Sequence, residues 1–324
     1  MTAGADRTLF YVADIHGSDL CFRKWLNAAR FYGADILIVG GDLTGKILLP
    51  IYPAPGASAA WTATWHGRPI RLETRAEVDE LIRTARNEGT YGYVTTVDEV
   101  AAIRASPELE RETFTRLKLD GLADWIRLAD QRLAEGTVRA LVMAGNDDPP
   151  EIDEVLATAE RLEDVGGEVI ELAPGIHMAS VGESTPTPWH TPRELPDEVL
   201  GERVAKVVEG LPSTGIAIWN LHMPPHRTGI DDAPELDQDL QVRYDATGEP
   251  RMHAVGSTSI RRLVEERRPT LALHGHIHEG RGRYRVDGTV GVNPGSQYQD
   301  GVLMGVLVRV SATHGVRDLT FTAG

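Results

Sequence analysis

Residues 8–42 of this 324-residue chain read TLFYVADIHGSDLCFRKWLNAARFYGADILIVGGD, and this stretch indicates the fold class. It opens with an apolar run of strand length that ends in Asp14 and His16. Ser18 can cap a helix whose apolar residues recur at helical spacing, and a second buried strand then ends in Asp42. Strand, helix and strand predict a parallel βαβ unit with a site at the carboxyl ends of its strands.

The composition is that of an ordinary globular chain, with 41% hydrophobic and 25% charged residues, which excludes wholesale disorder. No run approaches the length of about 18 consecutive apolar residues that a membrane-spanning helix needs. Residues 1–7 lack a basic patch followed by an apolar segment, so no secretory signal is predicted. The single cysteine, Cys21, cannot form an intrachain disulfide. We therefore expect a cytoplasmic protein.

The chain carries a net charge of −15, which repels nucleic acids and anionic membranes. We therefore expect neither duplex nucleic acid nor a membrane as a partner. A small phosphorylated substrate can still bind where a local positive centre overrides this field. Most of the 33 basic residues are arginines, for which codon bias is the simplest explanation. The few lysines are Lys24, Lys46, Lys118 and Lys206.

The segment 46–135 interrupts the alternation of strands and helices. It contains a stretch rich in proline and glycine, and helical spacing predicts helices over 74–87 and 107–133. Ninety residues between two core strands are too many for a loop, so we predict a cap-like insertion. The chain is then a single domain over 1–324 that contains this insertion, and the core resumes with a strand and a helix over 151–162.

Side chains able to bind metals follow five predicted strands. They lie in Asp14-x-His16, Gly41-Asp42, Gly145-Asn146-Asp147-Asp148, His222, and Gly275-His276-x-His278. Because each group follows an apolar strand, we expect all five to project from one edge of one sheet. Carboxylate, imidazole and amide oxygen ligands suit Mn, Fe, Co, Ni or Zn. Seven ligands are too many for one ion and fit two ions, about 3.5–4 Å apart, that share a carboxylate.

In this order, the five motifs resemble those of the calcineurin-like metallophosphoesterase superfamily, D-x-H, GD, GN-[HX]-[DE], H and GH-x-H. The resemblance covers residues 8–45 and 137–300 but not the insertion. It implies an α/β sandwich of two mixed sheets flanked by helices. It also implies two divalent ions bridged by Asp42, with Asp14, His16 and His278 on the first ion and Asn146, His222 and His276 on the second.

The activity that this resemblance implies is phosphoester hydrolysis by a hydroxide that bridges the two ions. Two divalent ions, the Asp14 and Asp42 carboxylates and one hydroxide leave a local charge of about +1, which supplies the positive centre. Metal coordination lowers the pKa of water enough to provide hydroxide near neutral pH. Asp42, Asn146 and His222 are therefore candidate catalytic residues as well as ligands.

One position departs from the family pattern. Many relatives have a histidine after the motif asparagine, which stabilises or protonates the leaving oxygen, and this chain has Asp147. An aspartate that faces the site lowers the local charge to about zero, which disfavours a dianionic monoester more than a monoanionic diester. We therefore expect phosphodiesters, small or nucleotide-like, with Asp147 as a candidate catalytic residue. If Asp147 points away, a water molecule or His226 would supply the proton.

Several alternatives stay open. A phosphomonoesterase or protein phosphatase would use the same ligands, and the fold can also serve as a non-catalytic scaffold, although all seven ligand positions hold competent residues. No motif in the insertion or in the loop 224–250 identifies the substrate. Manganese is one of several ions that the ligand set accepts, and a homo-oligomer is compatible with the sequence.

Overall fold

The computed structural model describes residues 6–56 and 60–324 of the chain. Residues 1–5, on which the prediction about a secretory signal partly depends, lie outside the described residues. The helices are α1 (Asp19–Tyr32), α2 (Arg75–Asn87), α3 (Val97–Ala105), α4 (Pro107–Leu133), α5 (Ile152–Leu156), α6 (Asp197–Val208) and α7 (Thr258–Arg267), with a 3₁₀ turn at Tyr298–Asp300. The strands are β1 (Arg7–Val12), β2 (Ile36–Gly40), β3 (Ile47–Pro53), β4 (Trp61–Trp65), β5 (Arg68–Leu72), β6 (Thr90–Val94), β7 (Arg139–Met143), β8 (Leu162–Asp164), β9 (Val169–Ala173), β10 (Ile176–Val181), β11 (Ile216–Leu221), β12 (Asp232–Pro234), β13 (Met252–Ala254), β14 (Leu271–Leu273), β15 (Gly282–Val286), β16 (Thr289–Asn293), β17 (Met304–Ser311) and β18 (Gly315–Ala323).

Two six-stranded mixed sheets form the centre of the fold. The first has the strand order β18-β17-β1-β2-β7-β8, and the second has the order β15-β16-β14-β11-β10-β9. Four neighbouring strands are parallel in each sheet, while the remaining strands pair antiparallel. One apolar cluster draws Leu9 and Ile38 from the first sheet and Met178 and Leu273 from the second. The predicted fold class, an α/β sandwich of two mixed sheets, is confirmed.

Helices cover the outer face of each sheet. Helices α1, α4 and α5 contribute to the apolar cluster outside the first sheet, where the rings of Phe22 and Trp125 stack with centroids 4.3 Å apart. Helices α6 and α7 do the same outside the second sheet. Helix α1 begins as predicted, with the Ser18 hydroxyl accepting from the Cys21 backbone N–H, and it ends at Gly33 in the left-handed conformation.

The insertion segment contains a small lobe of its own. Strands β5, β4, β3 and β6 form a four-stranded sheet in that order, and α2 packs on it. Thr74 and Glu77 form a capping box at the start of α2, which matches the predicted helix. Helix α4 differs, because Trp125 and other residues of its second half join the main core. The lobe with its own apolar cluster is therefore smaller than the segment 46–135.

Two sequence-based predictions are wrong in detail. The five site-bearing strand ends do not belong to one sheet, because β1, β2 and β7 lie in the first sheet and β11 and β14 in the second. The predicted helix over 151–162 is shorter, since the Asp130 carboxylate accepts from the backbone of Glu160 and Arg161 and the chain then enters β8. Across the residues described, the helices are all too short or too polar to cross a membrane.

Candidate metal centre

Backbone hydrogen bonds hold together the loops that follow the site-bearing strands. The Asp14 N–H donates to the Gly41 carbonyl at 3.1 Å, and the His16 N–H donates to the Asp42 carbonyl at 3.0 Å. The Gly275 N–H donates to the His222 carbonyl at 3.0 Å, which joins the loops that follow β14 and β11. Side chains from β1, β2, β11 and β14 are thus fixed at one end of the sandwich.

Four of the predicted ligands have left-handed backbone conformations, with φ of 55° at Asp14, 39° at His16, 55° at Asp42 and 67° at His276. Such a conformation costs a residue other than glycine about 1–3 kcal/mol, and it persists only where the surrounding structure enforces it. Residues of this kind concentrate at functional sites. The sharp turns at these four residues direct their side chains toward one another.

One group of side chains contains Asp14, His16 and His278, whose potential ligand atoms all lie within 4.8 Å of one another. His16 Nε2 is 3.0 Å from His278 Nε2, and His278 Nε2 is 3.5 Å from Asp14 Oδ1. Two imidazole nitrogens and a carboxylate oxygen that converge in this way suit a divalent cation.

Asp42 lies between this group and His222. Its Oδ2 is 3.6 Å from His16 Nε2 and 3.4 Å from His222 Nε2, and Asp14, Asp42 and His222 form a second group of potential ligands. His222 Nε2 is buried and has no hydrogen-bond partner within the described residues. The structure therefore places Asp42 where one carboxylate can serve two positions.

Asn146 and His276 lie together at the same centre. The Asn146 Oδ1 is 2.8 Å from His276 Nδ1, and the Asn146 amide donates to the Thr191 hydroxyl at 2.8 Å. The rings of His276 and His222 have centroids 5.4 Å apart. The His276 backbone N–H donates to the Asp14 carboxylate. All seven predicted ligands are thus brought into one cluster.

Backbone carbonyls orient two of the imidazoles. The Gly40 carbonyl is 2.8 Å from His222 Nδ1, and the Thr44 carbonyl is 3.3 Å from His16 Nδ1. A carbonyl can only accept, so each Nδ1 carries the proton that it donates. In the neutral ring Nε2 then presents its lone pair to the cluster, which is the usual arrangement of a metal-binding histidine.

Glycines make room for this packing at two points. A Cβ atom on Gly145 would lie 2.2 Å from Asp42 Oδ1, and one on Gly41 would lie 2.3 Å from His222 Nδ1. Gly41 also has φ of 113°, which other residues rarely adopt. Neither position therefore has room for a side chain beside the ligands.

Asp148 is fully buried and ties two of the loops together. Its carboxylate accepts from the backbone N–H groups of Leu43, Thr44 and Gly145 at 2.9, 2.8 and 2.8 Å, and from the Thr44 hydroxyl at 2.7 Å. These bonds join the loop after β2 to the loop after β7. Asp148 therefore positions Asp42 and Asn146 without contacting either side chain.

The charges of the cluster shift its own pKa values. Burial lowers the pKa of His222, but the Asp42 and Asp14 carboxylates outweigh burial and raise it to about 10. Burial raises the pKa of Asp14, but His222 and His278 outweigh burial and lower it to about 2. Burial and the neighbouring His222 lower the pKa of His276 to about 3. With cations absent, a protonated His222 is the counter-charge of two buried carboxylates.

Asp147 faces the site and forms an ion pair that the sequence did not reveal. Its Oδ2 is 2.5 Å from Lys46 Nζ and 3.9 Å from His16 Nδ1, and its backbone N–H donates to Asp42 Oδ1 at 3.0 Å. Lys118 Nζ donates to the Asp147 carbonyl at 3.2 Å. The only sequence signal for these two cations is the scarcity of lysine among the basic residues.

His226 lies apart from the cluster. Its Nδ1 is 3.8 Å from the buried Asp231 Oδ2. The Asp231 carboxylate accepts hydrogen bonds from four backbone N–H groups, three in the loop 227–229 and one at Gly256. His226 is not among the described residues that line the cavity over the cluster. Proton transfer from His226 to the leaving group stays a prediction.

A cavity of about 880 Å³ opens over the cluster. Asp42, Asn146, His276 and His278 form part of its lining, and Lys46 and Lys118 add two cations. Apolar side chains complete it, among them Trp189, which is 64% exposed, together with Phe114, Leu236, Leu240 and Val242. The cavity is large enough for an organic phosphoester and not only for phosphate.

The residues present fit divalent cations. The cluster combines two buried carboxylates with imidazoles whose Nε2 atoms converge, and His222 Nε2 is a buried polar atom without a hydrogen-bond partner in the part of the chain that is described. Oxygen and nitrogen ligands of this kind suit borderline ions such as Mn, Fe, Co, Ni and Zn.

No protein-family model matches the sequence. The uncharacterized protein MJ1162 of Methanocaldococcus jannaschii is 29% identical over 168 residues, which are 51% of this chain and 68% of that protein. The crystal structure of TT1561 from Thermus thermophilus has a TM-score of 0.52 at 14% identity and covers 98% of this chain and 99% of its own. A 5'-nucleotidase precursor from the same organism has a TM-score of only 0.42 at 12% identity, covering 98% of this chain and 54% of its own. The comparison with TT1561 shows a shared fold, and the chemistry of the cluster has to be argued from its own residues.

Proposed function

We propose that this chain is a metal-dependent phosphoesterase whose reaction takes place at the cluster around Asp42. The observation that carries the proposal is the convergence of Asp14, His16 and His278 on one side of Asp42 and of His222 on the other. Two buried carboxylates beside imidazoles whose nitrogens converge form a centre whose negative charge a divalent cation can balance.

In this proposal the ligands divide between two divalent ions. One ion would be held by Asp14, His16 and His278, and the other by Asn146, His222 and His276. Asp42 would bind both ions. When bound, the ions supply an activated water molecule and positive charge for the phosphate oxygens. The chain orients the ligands through the Gly40 and Thr44 carbonyls and through Asp148. Manganese is one candidate among the ions that such a ligand set accepts.

We propose phosphodiesters, small or nucleotide-like, as the first substrate class. The sequence-based reason for this class is that an Asp147 carboxylate facing the site lowers the local charge. The carboxylate does face His16, but Lys46 pairs with it and offsets that charge. The cavity of about 880 Å³ supports an organic substrate of this size, since it has room for organic groups on two phosphate oxygens.

A phosphomonoesterase or protein phosphatase is the second candidate, and the Lys46 ion pair is the observation that favours it. The Asp147–Lys46 pair adds no net charge, so the local charge returns to the value of about +1 that two ions, two carboxylates and one hydroxide give. Lys118 adds further positive charge, which suits a dianionic monoester. A non-catalytic scaffold is the third candidate, and it predicts indifference to metals.

The test is hydrolysis of bis-p-nitrophenyl phosphate and p-nitrophenyl phosphate by chelator-stripped protein. Each of Mn, Fe(II), Co, Ni and Zn is added separately, and bound metal is counted by elemental analysis. Activity that returns near two equivalents of metal supports the dinuclear site, and the ratio of the two rates decides between diester and monoester. Failure to bind any of the ions would overturn the proposal.

A variant at the shared carboxylate separates enzyme from scaffold. Asp42→Asn should abolish metal-dependent hydrolysis and lower the bound metal, with little change in the folded structure judged by circular dichroism. Asp318→Asn is the matched control, because Asp318 is exposed on β18. No metal-dependent hydrolysis by the wild-type protein, together with equal metal content in both variants, would support the scaffold.

A further inference from the structure

Two lysines meet at Asp147 over the cluster. Lys46 Nζ is 2.5 Å from the Asp147 carboxylate, and Lys118 Nζ donates to the Asp147 carbonyl at 3.2 Å. Both line the cavity, and no arginine does so among its described lining residues. The chain has only four lysines against 29 arginines. Codon bias can account for that ratio, but it does not explain why two of the four lysines lie at this cavity.

The environment of Lys118 is unusual for a lysine. The residue is only 9% exposed, it lies on α4, and its ammonium is 4.6 Å from the centroid of the Phe114 ring. Among the described residues, no carboxylate forms an ion pair with Lys118, in contrast to Lys46. An ammonium has three N–H donors, and Lys118 uses one of them on a carbonyl. A nearly buried cation without an anionic partner is costly, unless the cavity that it lines brings one.

Lys46 is arranged differently but faces the same space. Its side chain is 40% exposed, and one of its donors is used on the Asp147 carboxylate. Asp147 thus holds one lysine by its side chain and the other by its backbone carbonyl. His16 Nδ1 is 3.9 Å from the same carboxylate, so the Lys46–Asp147 ion pair lies beside one of the predicted metal ligands.

We propose that Lys46 and Lys118 form a cationic subsite that binds a phosphate group of the substrate. The proposal rests on the proposed phosphoesterase function and extends it, because both lysines come from the segment 46–135, outside the stretches that carry the metal ligands. The segment then supplies two positive charges to the site, in a chain whose net charge is −15. The phosphate bound there is either the scissile group or a second phosphate of the same substrate.

Binding of two probes to metal-loaded protein tests the subsite. Orthophosphate and pyrophosphate are titrated calorimetrically into the wild-type protein and into Lys46→Met and Lys118→Met. Each substitution should weaken binding of at least one probe by about tenfold to a hundredfold, as loss of a charge-assisted hydrogen bond does. Weakening of both probes indicates the scissile phosphate, and weakening of pyrophosphate alone indicates a second phosphate. Unchanged binding of both probes in both variants overturns the proposal.

Matched variants remove the structural explanations. Methionine keeps the length of the Lys118 side chain over Phe114, and Lys206→Met on the exposed face of α6 should leave both affinities unchanged. Asp147→Asn is combined with Lys46→Met, because the single lysine variant leaves the carboxylate unpaired. If Lys46 only neutralises Asp147, the double variant will regain wild-type affinity, which overturns its role in the subsite. Continued weak binding by the double variant supports that role.

Two further readouts keep this proposal distinct from the proposed function. Bound metal and thermal midpoint are measured for every variant, and the lysine variants should match the wild type in metal content. If the wild-type protein hydrolyses the nitrophenyl esters while the lysine variants bind both probes equally well, only the subsite fails. If the metal-loaded wild type neither binds phosphate nor hydrolyses either ester, both proposals fail.

Discussion

Replacement of Asp148 by alanine tests how the ligand loops are held. The carboxylate accepts hydrogen bonds from three buried backbone N–H groups and from one hydroxyl. Of these four donors, only the hydroxyl can rotate to another partner. Each unsatisfied buried donor costs about 1–3 kcal/mol. Water that enters the space left by the carboxylate recovers part of this cost. We expect the free energy of unfolding to fall by about 3–5 kcal/mol, as for other buried charged groups that lose a partner.

Urea unfolding of the chelator-treated protein, followed by tryptophan fluorescence and circular dichroism, measures this loss. With a denaturant slope of about 3 kcal/mol/M, the midpoint should fall by about 1–2 M urea. Asp245→Ala is the matched control, since Asp245 accepts from the Thr247 N–H, the Thr247 hydroxyl and the Glu249 N–H in an exposed turn. Water replaces the carboxylate there, so its midpoint should stay at the wild-type value.

The reasoning about Asp148 is refuted if its alanine variant unfolds at the wild-type urea concentration, or if Asp245→Ala loses as much stability. The same variant should also bind metal more weakly, because the loops that carry Asp42 and Asn146 lose their common anchor. Retention of the wild-type metal affinity, together with a large loss of stability, would show that Asp148 stabilises the fold without positioning the ligands.

Three further outcomes are expected. Gly145→Ala should lower metal content and activity, because its Cβ would lie 2.2 Å from Asp42 Oδ1, whereas Gly136→Ala, whose Cβ has no neighbour nearer than 3.8 Å, should change neither. Metal binding near pH 7.5 should release about one proton more in the wild type than in His222→Asn, since His222 with a pKa of about 10 is protonated before it binds an ion. Calorimetry in buffers of different ionisation enthalpy measures the number of protons released. In metal-free protein, the raised pKa of His222 contributes stability that is full below about pH 6.5 and is lost as the pH rises through about 10. The lowered pKa of His276 contributes stability that is lost as the pH falls from about 6.5 toward 3. The urea midpoint of unfolding should therefore be highest near pH 6.5.

Local patterns in the sequence were enough for much of the fold. The apolar runs before Asp14 and Asp42 form β1 and β2, and Ser18 caps the helix between them. The amphipathic stretch 107–133 forms α4 with the predicted bounds. These predictions succeed because strand burial, helix periodicity and capping depend on residues close together in the chain.

Predictions that depended on distant contacts were less successful. The helix expected over 151–162 stops early, because Asp130 on α4 accepts the backbone N–H groups of Glu160 and Arg161. Nothing near residue 151 in the sequence carries that information. The assignment of all site-bearing strands to one sheet failed for the same reason, since sheet membership depends on pairing between strands far apart in the chain.

The sequence by itself determined which residue types end the site-bearing strands, and therefore that carboxylates and imidazoles would be available for metal ions. Only the tertiary structure decided that these strand ends come from two facing sheets, and that Asp42 lies between His16 and His222. It also decided that Asp147 is paired, because Lys46 is 101 positions away in the chain and 2.5 Å away in space. The physical reason is that a ligand's identity is local, whereas the charge and coordination around it are sums over all groups that the fold brings near.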